Sequence, residues 1–166
     1  MEDKRQNFQK AKFFYFKAID VLKSKNENND TRLKTLYANI GNVYTFTEKI
    51  DSTIYFHQMA YDLAIKIYGR DNYITAIDLR NLCIDYMEKG DYQKAISNLN
   101  QAIDIARKKL GDDHLELAAL YYSIGDAYFY SGKNSMALNY YQKSLEIKLR
   151  QSDPPKISIA AFNIEP

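Results

Sequence analysis

One short phrase returns along this chain at a fixed interval of 42 residues. Residues 40–49 read IGNVYTFTEK, residues 82–91 read LCIDYMEKGD and residues 124–133 read IGDAYFYSGK. A tyrosine holds the same place each time, and a small residue stands three positions before it: Tyr44, Tyr86 and Tyr128, preceded by Gly41, Cys83 and Gly125. Periods of about 20 to 50 residues are typical of solenoids, in which each unit buries its apolar face against the next.

The same register runs through the rest of the chain. Small residues recur seven apart at Thr53/Ala60, Ala95/Ala102 and Ala137/Ser144, and Ala11/Ala18 stand one period earlier. Residues 153–162 line up with residues 111–120. The register therefore predicts one domain over residues 1–166, with half a unit at 6–25, full units at 30–68, 72–110 and 114–151, and the opening of a further unit at 153–166.

Each unit is predicted to be a pair of helices. Tyr37, Ile40, Gly41 and Tyr44 follow the i, i+3, i+4, i+7 spacing of one helical face. The first helices are expected over 31–46, 72–88 and 114–130, and the second over 50–67, 92–109 and 134–150, with a further helix of the second type over 6–24. Predicted N-caps are Asp30, Asp71 and Asp113.

The turn between the paired helices carries a glycine where the first helix should stop. Gly90 and Gly132 hold this place in the second and third units, whereas Glu48 stands there in the first. A glycine is favoured just after a helix because it adopts the left-handed conformation without steric cost. The first unit is therefore the least typical of the three.

These residues resemble the tetratricopeptide repeat family. The small residue, the tyrosine three positions later and the two small residues of the second helix match the family's signature, and the 42-residue period resembles its kinesin-light-chain subtype. The resemblance implies an all-α fold, a right-handed α-solenoid of antiparallel helix hairpins with about seven to eight helices.

The resemblance also implies where a ligand would bind, because first helices of this family line a concave groove that holds extended peptides. An asparagine amide can both donate to and accept from a peptide backbone. The alternative is a solvated polar stripe with incidental aromatic residues. The candidate groove residues are Asn39, Asn42, Phe46, Arg80, Asn81, Ile84, Tyr122, Ser123, Asp126 and Tyr130.

Chaperone-binding members of the family use lysine and arginine in the groove to clamp an acidic C-terminal tail. The matching positions here are Ala38 and Asn42, then Asn81, then Ala119 and Ser123. Every clamp cation is absent, so tight capture of an acidic tail is not expected.

Other chemistry finds little support in the sequence. His57 and His114 lack metal-ligand spacing and are interpreted as a helix-packing and a surface residue, and the single cysteine, Cys83, stands at a packing position. No catalytic or metal-binding residue and no cofactor is predicted, so an enzyme is not expected. The net charge of +2 does not indicate nucleic-acid binding, and no segment is apolar enough for a membrane span. We expect a cytoplasmic protein.

The leading functional hypothesis is a non-catalytic interaction module with a protein or peptide ligand. The alternative is a structural, self-associating scaffold or a regulatory sensor segment of a larger signalling protein. The first predicted helix carries five aromatic residues within residues 8–16. Since solenoid ends need polar caps, we expect either a fragment of a longer protein or a homo-oligomer formed through the uncapped terminal helices.

Overall fold

A computed structural model describes residues 4–25 and 31–152 of the chain. Within these ranges the chain forms α-helices and no strand. The helices are α1 (Lys4–Ser24), α2 (Thr31–Thr45), α3 (Ile50–Tyr68), α4 (Tyr73–Glu88), α5 (Tyr92–Leu110), α6 (Leu115–Tyr130) and α7 (Asn134–Ser152).

The helices pack in chain order. Each contacts the helix before and after it, and α4 also contacts α6. The pairs α2–α3, α4–α5 and α6–α7 are hairpins, and α1 packs on α2 ahead of them. This arrangement confirms the prediction of an all-α helical-repeat solenoid. Residues 153–166, predicted to open a further unit, lie outside the described residues.

The small residues of the second helices allow the paired helices to approach closely. The six small residues of α3, α5 and α7 are at most 2% exposed: Thr53, Ala60, Ala95, Ala102, Ala137 and Ser144. In the last hairpin the Ser144 hydroxyl donates to the carbonyl oxygen of Ala118 at 2.7 Å, so the two backbones are within one side chain of each other. A bulkier residue at these places would overpack the hairpin, at a cost of about 1–3 kcal/mol.

The glycines of the first helices serve the same close approach. A Cβ atom added at Gly41 would lie 2.2 Å from the His57 ring, and one added at Gly125 would lie 2.6 Å from the Tyr141 ring. Neither distance is possible without displacing the ring. In the first and third hairpins the glycine is therefore required by the ring that the second helix packs against it.

The turns inside the three hairpins share one backbone geometry. Glu48, Gly90 and Gly132 all have positive φ, of 56°, 86° and 80°. The following amide then donates to a first-helix carbonyl: Lys49 to Tyr44 at 3.1 Å, Asp91 to Tyr86 at 2.8 Å and Lys133 to Tyr128 at 2.9 Å. The first unit thus makes the same turn without glycine, and its left-handed glutamate carries the steric cost of that conformation.

The predicted aspartate N-caps are wrong by one residue in the two hairpins where they can be checked. The cap of α4 is Asn72, whose side chain accepts from the Ile74 amide at 2.9 Å, and the cap of α6 is His114, whose Nδ1 accepts from the Glu116 amide at 3.1 Å. Asp71 and Asp113 come one residue too early to reach these amides; Asp113 pairs with Arg150 at 2.9 Å. Asp30 lies outside the described residues.

Candidate functional site

The exposed stripes of α2 and α4 carry two equivalent asparagines. Asn39 and Asn81 stand one period apart and are half-buried. Neither side-chain amide makes a hydrogen bond with another residue in the described part of the chain. Because a half-buried amide loses part of its hydration, both side chains have unused hydrogen-bonding capacity that a ligand could take up.

Asn42, the next asparagine of the stripe, is engaged by the protein itself. Its Oδ1 lies 3.2 Å from Nε2 of His57, and Nδ1 of the same ring lies 2.5 Å from a carboxylate oxygen of Asp85. His57 and Asp85 are both buried. Burial raises the pKa of the Asp85 carboxyl, and the hydrogen bond with His57 opposes that shift. The Asn42 side chain is therefore exposed to solvent but also contacts the buried His57–Asp85 pair.

Arg80 is also committed to an internal contact. Its guanidinium reaches from α4 to the Glu116 carboxylate of α6, with 3.3 Å between the charged atoms. The Arg80 Nε group has no hydrogen-bond partner among the described residues. Arg80 therefore links two first helices and does not offer the groove an uncompensated positive charge.

Five of the six remaining predicted residues meet in one cavity between α4, α5 and α6, which we call the aromatic pocket. It has a volume of about 460 Å³ and is lined by Ile84, Met87, Glu88, Tyr92, Tyr122, Ser123, Asp126 and Tyr130. Five of these eight belong to the predicted site. The stripes of α4 and α6 therefore face a common concavity.

Three tyrosines form much of the pocket wall. Tyr122 and Tyr130 are 51% and 63% exposed, and the Tyr130 ring stacks on Tyr92 with 6.4 Å between centroids. A tyrosine ring has a flat apolar face and a polar hydroxyl group. It is therefore suited to a binding site that is exposed to solvent when free and covered when a ligand is bound.

The polar groups of the pocket are oriented by neighbouring side chains. The Tyr141 hydroxyl donates to Oδ1 of Asp126 at 2.7 Å, and burial together with this carboxylate raises the pKa of Tyr141. The Ser123 hydroxyl donates to the Ala119 carbonyl of its own helix at 3.1 Å and is buried. Ser123 thus shapes the pocket floor, whereas Asp126 keeps its second oxygen for other partners.

Phe46 lies away from the aromatic pocket. It stands in the turn after α2, is 70% exposed, and its ring stacks on Phe8 of α1 with 5.5 Å between centroids. Together they line a separate, smaller cavity with Gln9, Thr47 and Glu48. The structure therefore brings the α4 and α6 candidates together and leaves Phe46 beside α1.

Three residues that line the pocket were not among the candidate residues: Met87, Glu88 and Tyr92. The sequence predicts groove residues on first helices alone. Tyr92 falls outside that prediction because it is the first residue of the second helix α5, directly after the Asp91 cap. The sequence did contain a signal for Tyr92. This residue directly follows the turn between the paired helices α4 and α5, and that turn lies at one end of the first helix that forms the groove wall. An aromatic residue at that place adds to whatever the first helices present.

Among residues 4–25 and 31–152, no group of three His, Cys, Asp or Glu side chains is placed to hold a metal ion. No helix in these ranges has both the length and the apolar character needed to cross a bilayer. Cys83 is fully buried, and burial raises the pKa of its thiol.

Comparison with sequence families identifies the repeat. A family model described as tetratricopeptide repeat matches residues 31–105 and 79–150. The chain is also 31% identical over 100 residues to Heat shock protein STI1 of Saccharomyces cerevisiae. That match covers 59% of this chain but only 17% of the yeast protein.

Solved structures share the fold. BtubC (BKLC) from P. vanneervenii matches with a TM-score of 0.78 at 16% identity, over 97% of this chain and 60% of that one. The nearly identical TPR-like repeats of a putative kinesin light chain from Podosopora anserina match with a TM-score of 0.73 at 14% identity, over 89% of this chain and 70% of that one. At these identities the likeness concerns the fold.

Proposed function

Because the chain belongs to the tetratricopeptide repeat family, whose repeats are protein–protein interaction modules, we propose that it binds an extended peptide segment of a partner protein in the groove along α2, α4 and α6. The observation that carries the proposal is the pair Asn39 and Asn81. Both amides are half-buried and unpaired within the described residues, and one period separates them.

A repeated amide is suited to a peptide backbone. Backbone N–H and C=O groups recur in every ligand whatever its side chains, and an asparagine amide can pair with both. Two such amides on consecutive first helices would hold the backbone in an extended conformation. The aromatic pocket, which continues the groove onto α6, would then receive a side chain of the ligand.

The chaperone-binding members of the family raise the question of an acidic-tail ligand. The positions that match the family's carboxylate clamp are Ala38, Asn42, Asn81, Ala119 and Ser123, none of which is a cation. The arginine nearest to them in the groove, Arg80, is paired with Glu116. We therefore propose a ligand that is not an acidic C-terminal tail.

Selection from a random dodecapeptide library on the immobilised chain tests the proposal. The enriched peptides should bind the parent chain and should lose about tenfold in affinity with the double variant Asn39→Ala/Asn81→Ala, since each lost hydrogen bond is worth about 0.5–1.5 kcal/mol. Asn139→Ala, an exposed asparagine of α7, is the matched control and should bind as the parent does. Equal loss in both variants, or no enriched peptide, would overturn the proposal.

Self-association is a second candidate, and the surface of α1 favours it. Phe13, Phe14 and Val21 are 54%, 64% and 52% exposed, and Ala11 and Ala18 are half-buried, although their equivalents in α3, α5 and α7 are buried. This face could receive a helix from another molecule. Sedimentation across a dilution series tests it: a strict monomer at high concentration would exclude this candidate and leave the groove proposal standing.

A further inference from the structure

We infer that the aromatic pocket receives a positively charged side chain of the bound peptide, arginine before lysine. The inference rests on the proposed groove function and specifies the chemistry of its ligand. It depends on three features of the pocket: its charge, its aromatic walls and the cavity beside it.

The charged groups that line the pocket are negative. Glu88 and Asp126 are the only charged side chains that line it, and both are acidic. Glu88 is exposed and forms no ion pair with another residue of the described ranges. Asp126 uses Oδ1 to accept from Tyr141, which leaves its other carboxylate oxygen available. A guanidinium can donate to both carboxylates, whereas an acidic ligand would be repelled by them.

The aromatic walls of the pocket favour a cation, as its acidic side chains do. The three tyrosines Tyr92, Tyr122 and Tyr130 line it, and an aromatic ring attracts a cation through its negative face. The chain shows the same contact elsewhere, since the Lys94 ammonium lies 4.1 Å from the centroid of the Tyr86 ring. Arginine is preferred over lysine because its planar guanidinium can stack on a tyrosine ring while still donating sideways.

The neighbouring cavity indicates what should stand beside the cation. It has a volume of about 530 Å³ and is lined by Tyr122, Phe129, Tyr141, Ser144, Leu145 and Lys148. Tyr122 separates the two cavities by lining both. The side chains that line the second cavity are mostly apolar. Its one cation among the described residues, the Lys148 ammonium, lies 5.3 Å from the centroid of the Tyr122 ring. The preferred ligand therefore has an arginine close to an apolar residue.

The test uses the dodecapeptides enriched on the parent chain, synthesised with arginine and with its neutral isostere citrulline. We expect the enriched sequences to share an arginine or lysine, and the citrulline peptide to bind about tenfold more weakly. The variant Glu88→Gln/Asp126→Asn should remove that difference, because both peptides then meet a neutral pocket. Asparagine at 126 retains an oxygen acceptor for the Tyr141 hydroxyl. The double variant Glu146→Gln/Asp104→Asn, at exposed positions of α7 and α5, removes the same two negative charges away from the pocket and should preserve the difference.

The outcomes separate the two proposals. Enriched peptides without a shared cation, or equal affinities for the arginine and citrulline peptides, would overturn the inference while the groove function stands. Failure of every peptide to bind would overturn both. A citrulline effect that survives in the Glu88→Gln/Asp126→Asn variant would place the cation elsewhere and would also overturn the inference.

Discussion

The contacts between the first and second hairpins differ in chemistry from those between the second and third. In the first junction, Lys34 of α2 pairs with Asp78 of α4 at 2.8 Å, and His57 of α3 contacts Asp85 of α4 at 2.5 Å. One period later, in the second junction, the same four places are fully buried apolar residues: Ala76, Leu120, Leu99 and Ala127. One backbone arrangement thus accommodates a polar and an apolar interior.

The difference shows that the repeat constrains shape more strongly than polarity. Small residues and turns are kept in both junctions, whereas polar pairs replace apolar contacts in only one. A buried ion pair adds little net stability because of its desolvation, but it is costly to break since one charge then remains unpaired. The first junction should therefore tolerate replacement of a whole pair and not of half a pair.

The largest effect should follow from breaking the His57–Asp85 pair. His57→Leu introduces the residue found at the equivalent place in the second hairpin, Leu99, yet it should lower the free energy of unfolding by about 3 kcal/mol because Asp85 loses its partner. The double variant His57→Leu/Asp85→Ala copies the second junction and should recover to within about 1 kcal/mol of the parent. Urea unfolding measures both, and additive losses would show that the two residues are not coupled.

A smaller difference should separate the two close-approach glycines. Gly41→Ala drives a methyl group into the His57 ring, which is buried and held by Asp85, and should cost about 3 kcal/mol. Gly125→Ala meets the Tyr141 ring, which is only half-buried but would lose its hydrogen bond to Asp126 on turning aside, and should cost about 2 kcal/mol. Thermal or urea unfolding of the two variants gives the comparison. A larger loss for Gly125→Ala would mean that the His57 ring is not fixed.

The pH dependence of stability should also distinguish the junctions. Burial raises the pKa of the Asp78 carboxyl, against the opposing effects of Lys34 and His57. Its contribution to stability is therefore complete below the unfolded pKa of about 3.9 and is lost as the pH rises through the raised folded value. Asp78→Asn, which cannot ionise, should gain in unfolding free energy relative to the parent as the pH rises above about 4. Parallel curves for the two proteins would contradict this.

The smallest expected effect lies in the turn of the first hairpin. Glu48→Gly should raise the free energy of unfolding by about 0.5–1 kcal/mol, because glycine adopts the observed φ of 56° without the steric cost that glutamate bears. The reverse change, Gly132→Glu, should lower it by a similar amount. Differential scanning calorimetry resolves shifts of this size. An unchanged or lower melting temperature for Glu48→Gly would indicate that the glutamate side chain compensates for its backbone strain.

Much of the fold follows from the period, because packing of paired helices repeats whatever the surface residues are. The register also located Glu48 at the turn that the glycines make elsewhere. The N-cap of α4 was misplaced because Asp71 satisfies the same preference as Asn72, and that of α6 because histidine, which caps the helix at position 114, is not a residue type that this preference selects. The polar junction could not be predicted, since Lys34, His57, Asp78 and Asp85 come from three helices and each position is apolar in another unit.

The candidate site was predictable to a similar degree. Helical spacing was sufficient to select the α4 and α6 residues that line the aromatic pocket. It could not show that Asn42 contacts His57 or that Arg80 reaches Glu116, because these contacts depend on the separation of neighbouring helices. Tyr92 was missed because it belongs to a second helix.

The central claim is that a partner's peptide lies along the groove of α2, α4 and α6. A heteronuclear NMR titration of the isotope-labelled chain with an enriched dodecapeptide tests it directly. We predict that the side-chain amide signals of Asn39 and Asn81 shift together with the backbone amides of residues 122–130. Shifts confined to α1, or to the exposed face of α7, with both asparagine side chains unmoved, would contradict the claim.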